Sequence, residues 1–486
     1  MGKRGACFFI AMCAVIGGAV YGQDFGFGDD DAGGGTGGGG KAPSVSIGGE
    51  VSGSFIGYIN DFSRKNDTKP QFGDVFLGKL NFYASTPVAE GAINLRLNSS
   101  TSPISIDEGY ARAYLGNFDI TAGLRKLTWG KADSLGPLDV INPLDYSRVS
   151  TEMADNVSLV GVKIARPLVH ASFRFGRFSK IEAVFVPWFE PHDIPREGRW
   201  APTQMRMLED IPEEIDIPIP GAIPIPVIKE IEPETRALDY AQAGLRFTTT
   251  IGSADIGAQY YYGRLPQPSV KITGKYNITP TYGPDTMSGD PKVEFLYNPY
   301  HQIGIDYAQV LLGLNVRAEL AANITYDVKG NDGAVYNPSI AWSFGFDRDI
   351  VFGISLNLQV NESIRLMHDK LGGDINDIIT DFEGGNFGLA SLYAIDRADI
   401  EGGNEPTSTR LTAALSRKFL RDELELRAGI VWGIEDRDAV IMSAITWTKG
   451  SIRLGLAGGF FAGNKDGQLG QFKDNHFLKL SMAYTF

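Results

Sequence analysis

From Val45 to the C-terminus the chain alternates apolar and polar residues in stretches of about 9–16 residues. The clearest runs from Leu312 to Tyr326. Leu312, Leu314, Val316, Ala318, Leu320, Ala322 and Ile324 share one parity, and Gly313, Asn315, Arg317, Glu319, Ala321, Asn323 and Thr325 share the other. Ile350 to Asn361 and Leu424 to Trp432 repeat the pattern. Successive side chains of a strand point to opposite faces, so each segment offers one face to lipid and one to water. Strands in soluble sandwiches average about 5–6 residues. These segments are roughly twice that, near the ~9–11 residues that a tilted membrane-crossing strand needs.

The alternation predicts eighteen strands, near 45–60, 72–86, 90–100, 108–116, 118–129, 157–166, 178–187, 238–250, 252–263, 299–310, 312–326, 337–347, 349–364, 408–418, 422–434, 438–448, 450–462 and 474–486. It is weakest over 157–187, where a count of 16 also fits. The linkers carry independent information. Gly116-Asn117-Phe118, Ile251-Gly252-Ser253, Asp347-Arg348-Asp349, Leu420-Arg421-Asp422 and Lys449-Gly450-Ser451 are tight, and each follows an even-numbered strand. The long linkers 130–156, 188–237, 264–298 and 365–407 follow odd-numbered ones. Transmembrane barrels have short periplasmic turns and longer outer loops. The expected fold is therefore all-β, a transmembrane antiparallel up-and-down barrel over 45–486 with both termini in the periplasm.

Composition sharpens this. The chain is 43% hydrophobic, yet past residue 22 it has no apolar run of the ~20 residues that a membrane helix requires. Its 59 glycines, 19 tyrosines and 28 phenylalanines suit barrel turns and interface girdles. A soluble sandwich or propeller shares that composition, and strand length argues against it.

Residues 1–22 have the layout of a signal peptide. Lys3 and Arg4 precede an apolar core from Cys7 to Val20, and Val20-Tyr21-Gly22 offers a cleavage site before Gln23. Lipidation at Cys13 is the rival reading, disfavoured by Met12 before it and the short apolar stretch. Both cysteines, Cys7 and Cys13, would leave with the leader, which removes disulfides and thiolate metal sites from the mature chain. Losing Lys3 and Arg4 takes the net charge from −13 to −15, a balance that argues against nucleic-acid binding. Residues 23–44, with a glycine run from Gly33 to Gly40, read as a flexible linker.

The C-terminus, Lys479-Leu480-Ser481-Met482-Ala483-Tyr484-Thr485-Phe486, is similar to the assembly signal of outer-membrane proteins, with Tyr484 and Phe486 as its aromatic elements. Ser481 stands where glycine is usual. A second stretch reads Arg125-Lys126-Leu127-Thr128-Trp129-Gly130-Lys131-Ala132-Asp133 and then Asp139-Val140-Ile141-Asn142-Pro143-Leu144-Asp145-Tyr146-Ser147. It resembles the strand, Trp-Gly, Asn-Pro-x-Asp pattern of a family of large outer-membrane porin-like barrels of unassigned substrate. The resemblance covers about 25 residues and implies a wide barrel with a channel or export role and no catalytic residues. By physics alone, Trp129 suits the interfacial belt, and Asn142-Pro143 with Asp145 would fold a loop back as a structural fastening.

Under this reading the function is a porin, a channel for passive diffusion of small solutes. A transporter of hydrophobic compounds resembling the long-chain fatty acid transporters is one alternative, weakened by a glycine linker where a folded hatch belongs. A surface adhesin or structural barrel is another. The expected partners are outer-membrane lipid, the barrel assembly machinery and small solutes, and neither a cofactor nor a metal is expected. Five histidines (His170, His192, His301, His368, His476) show no triad or metal-ligand spacing, and the glycine run lacks the Lys-Ser/Thr of a phosphate loop, so no enzyme is expected.

Lumen-facing charges would set selectivity. The candidates are Arg96, Arg125, Lys163, Arg246, Arg317, Arg427 and Arg453, against Asp255, Glu319, Glu423 and Glu425. They fit either a weak anion preference or mutual neutralisation by cross-strand pairing. The linker 188–237 is proline-rich, apolar and acidic, and too long for a plain connection. Ile211, Ile215, Ile217 and Ile219 are its candidates for a constriction folded into the barrel mouth, against a surface loop as the simpler reading.

Overall fold

The computed structural model describes residues 43–62, 72–99, 104–133, 136–147, 162–203, 205–206, 214–215, 225–226, 228–230, 232–273, 277–278, 287–288, 292–330, 332, 334–367 and 406–486. The leader and most of the glycine linker lie outside them.

Eighteen strands form one sheet. They are β1 (Ser44–Tyr58), β2 (Phe72–Ser85), β3 (Ala89–Asn98), β4 (Ser105–Leu115), β5 (Phe118–Arg125), β6 (Arg166–Phe175), β7 (Ser179–Val186), β8 (Gln242–Ile251) and β9 (Ala254–Arg264). The second half comprises β10 (Pro299–Leu311), β11 (Leu314–Thr325), β12 (Ser339–Ile350), β13 (Ile354–Arg365), β14 (Thr407–Phe419), β15 (Leu424–Gly433), β16 (Asp438–Lys449), β17 (Ile452–Gly463) and β18 (Phe477–Thr485). Each pairs antiparallel with its sequence neighbours, as β10 does with β11 from Tyr300↔Thr325 to Leu311↔Leu314. β18 returns to β1, from Glu50↔Thr485 to Tyr58↔Phe477, and the sheet closes. Closure removes both sheet edges and satisfies the strand backbone without water, the requirement for crossing a bilayer. No helix among the described residues is long and apolar enough to cross a membrane.

Burial follows side-chain parity and is inverted relative to a soluble protein. On β10, Ile303 and Ile305 are 54% and 53% exposed, while Gln302 and Asp306 on either side of them are 1% and 3% exposed. The outward face of the wall is apolar and open, as lipid contact requires, and the inward face is polar and packed. The chain is a closed eighteen-stranded antiparallel barrel whose outer face is built for lipid.

The connections alternate as the linkers predict. At one end they are tight, such as Leu312-Gly313 between β10 and β11, with φ of 52° and 78° at the two residues. Two positive φ values match the right-handed twist of the flanking strands in a two-residue hairpin. Leu312 is thus a turn residue rather than the first residue of a strand.

One strand differs from expectation. The sixth lies at Arg166–Phe175 rather than 157–166. Pro167 suggests a strand end, since proline cannot donate to a ladder. It sits instead at the strand's start, opposite Leu124, where the cost is small. Lys163 accordingly lies before the wall, in an isolated bridge with Leu144.

Candidate functional site

The connection from β5 to β6, residues 126–165, does not stay at the barrel rim. Its described part folds inward and lies on the inner faces of β8 to β13. The wall side chain that holds it is Glu319 of β11. Backbone N–H groups of Lys131, Ala132 (2.7 Å) and Leu138 (3.3 Å) all donate to the Glu319 carboxylate. Gly130 makes the approach feasible. Its φ of +105° disfavours any L side chain, and a Cβ there would stand 2.3 Å from Glu319 Oε1.

Further polar contacts fix the loop on either side. Arg317 reaches Asp133 of the loop at 2.5 Å and Asp347 of β12 at 2.6 Å, and Asn357 Nδ2 of β13 donates to Asp133 at 2.8 Å. Gln259 Nε2 donates to the Leu138 carbonyl, and Gln302 Nε2 to that of Pro137, each at 2.9 Å. Within the loop, Lys163 Nζ lies 2.6 Å from Asp139 and donates to Thr128 Oγ1 at 2.7 Å. Burial raises the Asp139 carboxyl above its ordinary range, against the opposing pull of Lys163.

The Trp-Gly and Asn-Pro segments take part in this docking. Trp129 is not in the interfacial belt. It is 2% exposed and packs with Leu127, Ile141, Leu168, Val184, Tyr261 and Tyr300 on the lumen side. A Cβ on Gly244 of β8 would meet its ring at 2.8 Å, so a bare inward position on the wall admits the indole. Trp129 belongs to the inserted loop, and the parity that sends wall aromatics outward does not apply to it. Asn142 is consumed in holding the loop together: its Oδ1 accepts the Leu127 N–H at 2.7 Å, and its Nδ2 donates to the carbonyls of Arg125 and Ile164. His192 Nδ1 accepts the Leu144 N–H at 2.8 Å. Burial, with a smaller push from Arg166, lowers the His192 pKa to about 3, so its ring is neutral and free to accept.

The other candidate charges lie as follows. Arg246 pairs with Asp306 at 2.7 Å and donates to Gln259 at 2.7 Å. Arg427 grips Glu425 with two bonds, of 2.7 and 2.8 Å. Arg453 reaches Glu50 at 2.8 Å across the β1–β18 seam region. Arg125 donates to Thr121 and lies over the Tyr110 ring, and Arg96 is buried. Sequence reading missed the acids Asp306 and Asp347, although the parity of β10 and β12 already puts them on the inner face. It also missed Asp133 and Asp139, because the loop that carries them reads as an outer linker.

The long connection from β7 to β8 also enters the barrel end, through residues 189–203 and 205–206. Trp200 packs on Phe461, Phe472 and Phe477 and donates its indole N–H to the Tyr58 hydroxyl at 3.2 Å. The candidates Ile211, Ile217 and Ile219 lie outside the described residues. Ile215 is described only as backbone, opposite Ile225. At the C-terminus, Tyr484 and Phe486 stack at 6.3 Å on the outer face, and the Phe486 backbone exchanges two hydrogen bonds of 2.9 Å with Gly49. Among the described residues no group of three or more His, Asp or Glu side chains is gathered to hold a metal ion.

Between the loop and the inner faces of β10 to β14 lies a cavity of ≈ 350 Å³. Comparison with known proteins returns no matching family model and no matching curated sequence. Among solved structures the chain is similar to Pseudomonas aeruginosa OpdQ, at 7% identity and a TM-score of 0.46 over 91% of this chain and 97% of that one. It is also similar to OccK11 (OpdR) of the same organism, at 8% identity and 0.45 over 91% and 96%, and to Salmonella typhi OmpF, at 7% and 0.40 over 91% and 97%.

Proposed function

We propose that the protein is a passive diffusion channel of the outer membrane, with the pore narrowed where the described part of the 126–165 connection lies across it. The observation that carries this reading is the three-fold N–H grip of Glu319 on that loop, inside a closed wall with a polar interior. A lipid-facing barrel whose inner side chains are Gln, Asn, Arg and Asp is built around water. A loop fastened part-way across that water sets which solutes pass.

The inner charges are largely paired within the wall or with the loop, which supports a pore of low ion preference rather than an anion filter. The tight turns belong in the periplasm and the long connections outside, with both termini periplasmic. A hydrophobic-compound transporter that releases cargo sideways would need a gap in the wall. All neighbouring strands are hydrogen-bonded, β18 to β1 included.

Liposome swelling tests the proposal. Vesicles carrying the refolded protein should swell in iso-osmotic pentose and hexose and progressively more slowly in larger saccharides. Folded protein that leaves swelling at the rate of empty vesicles would refute it.

A further inference from the structure

The cavity beside the inserted loop is lined on one side by neutral polar groups from successive strands. Gln302 Nε2 donates to Asn323 Oδ1 at 3.0 Å, and Asn323 Nδ2 donates to Ser339 Oγ at 3.2 Å. Asn361 of β13 continues the row. Its Oδ1 accepts from Gln359 at 2.8 Å, and its Nδ2 is withdrawn from solvent with no hydrogen-bond partner among the described residues. Pro137 and Val140 of the loop form the facing, apolar side.

Three of the titratable groups at the cavity are paired or neutral. Asp139 is held by Lys163, Arg410 by Asp436, and His192 is neutral. Glu362 and Arg365, of opposite sign, stand at the end of β13.

We propose that this cavity is a binding subsite for a neutral, hydroxyl-rich solute of mono- or disaccharide size, a refinement that rests on the channel reading above. An amide row offers donors and acceptors in alternation, as a polyol does, whereas a carboxylate or phosphate needs an uncommitted cation. A sugar ring presents hydroxyl edges and C–H faces, which the polar wall and the apolar loop match. The volume lies at the small end of ligand pockets, which run about 300–1,000 Å³, so a long oligosaccharide must thread past rather than settle. Asn361, the amide of this row that β13 contributes to the cavity lining, is the specificity residue.

The test uses the refolded full-length protein in a non-sugar detergent, with sucrose as the probe followed by saturation-transfer NMR. Succinate and a polyethylene glycol of matched hydrodynamic size are the comparators. Sucrose should bind saturably at millimolar concentration and polyethylene glycol should not. Asn361→Leu, checked for folding by heat-modifiable migration, should weaken sucrose about tenfold, the usual cost of one well-placed polar contact. Ser363→Val, on the same inner face, serves if Asn361→Leu fails to fold, and should weaken it several-fold. Absence of saturation, binding unchanged in the folded variant, or tighter binding of succinate than sucrose would each overturn the proposal. Because binding is read without transport, the two readings separate. Swelling without sucrose binding removes only the subsite, and saturable binding without swelling removes the channel.

Discussion

Glu319 shows what one buried carboxylate does in this lumen. Three backbone N–H groups satisfy it, and removing it would leave those donors facing an empty space. Hydrogen bonds to charged groups contribute roughly 1.5–3 kcal/mol each, so Glu319→Ala should release the 126–147 segment without unfolding the wall. The expected result is larger and noisier single-channel conductance with unchanged heat-modifiable migration. His192 makes a pH-dependent contact. Its neutral ring accepts the Leu144 N–H, and the folded pKa of about 3 lies below the ordinary 6.5. With the contact undone, His192 therefore binds the extra proton. The contact is fully favourable above about pH 6.5 and weakens as pH falls toward about 3. Current noise should rise over that window. His192→Asn, whose amide oxygen accepts without titrating, should flatten that rise; an identical pH profile in the variant would remove His192 from the account.

At the scale of elements, the wall and the inserted loop were unequally legible. Strands such as β11 read directly from sequence because lipid and water impose opposite demands on alternate residues. The sixth strand did not, because a proline and three arginines, Arg166, Arg174 and Arg177, obscure the alternation between residues 166 and 177. The loop was misjudged for a different reason. Its inward fold depends on partners far away in sequence, with Trp129 meeting Gly244 and Asp133 meeting Arg317 and Asn357. The local hints were Asn142-Pro143 with Asp145, which predict a loop folded back but not onto what, and Trp129-Gly130 directly after a strand, which fits a lipid belt equally well. Trp129→Ala should cost about 3–5 kcal/mol of local docking, the usual range for a buried tryptophan. It should show as earlier proteolytic cutting within 126–165 and an intact barrel core. Cutting that begins in the strands would contradict this division. Phe486→Ala acts on the other element, the closing seam. Losing an exposed apolar ring over Gly49 should slow assembly into the membrane, seen as a lower fraction of heat-modifiable protein in a refolding time course.

Across the whole molecule, the barrel and its eighteen strands were readable from alternation and linker length, whereas the electrical character of the pore was not. Listing Arg246, Arg317 and Lys163 without Asp306, Asp347, Asp133 and Asp139 makes the lumen look basic. In space those three bases pair with these four acids. The proposed small-solute function rests on that combination, a continuous wall, a polar interior and a loop fastened across it. Conductance of the refolded protein in a planar bilayer, with reversal potential under a salt gradient, tests it most directly. Stable unitary steps, a reversal potential near zero and larger steps for Glu319→Ala are the predicted result. A folded barrel that passes no current, or Glu319→Ala steps no larger than those of the native protein, would contradict a pore narrowed by this loop.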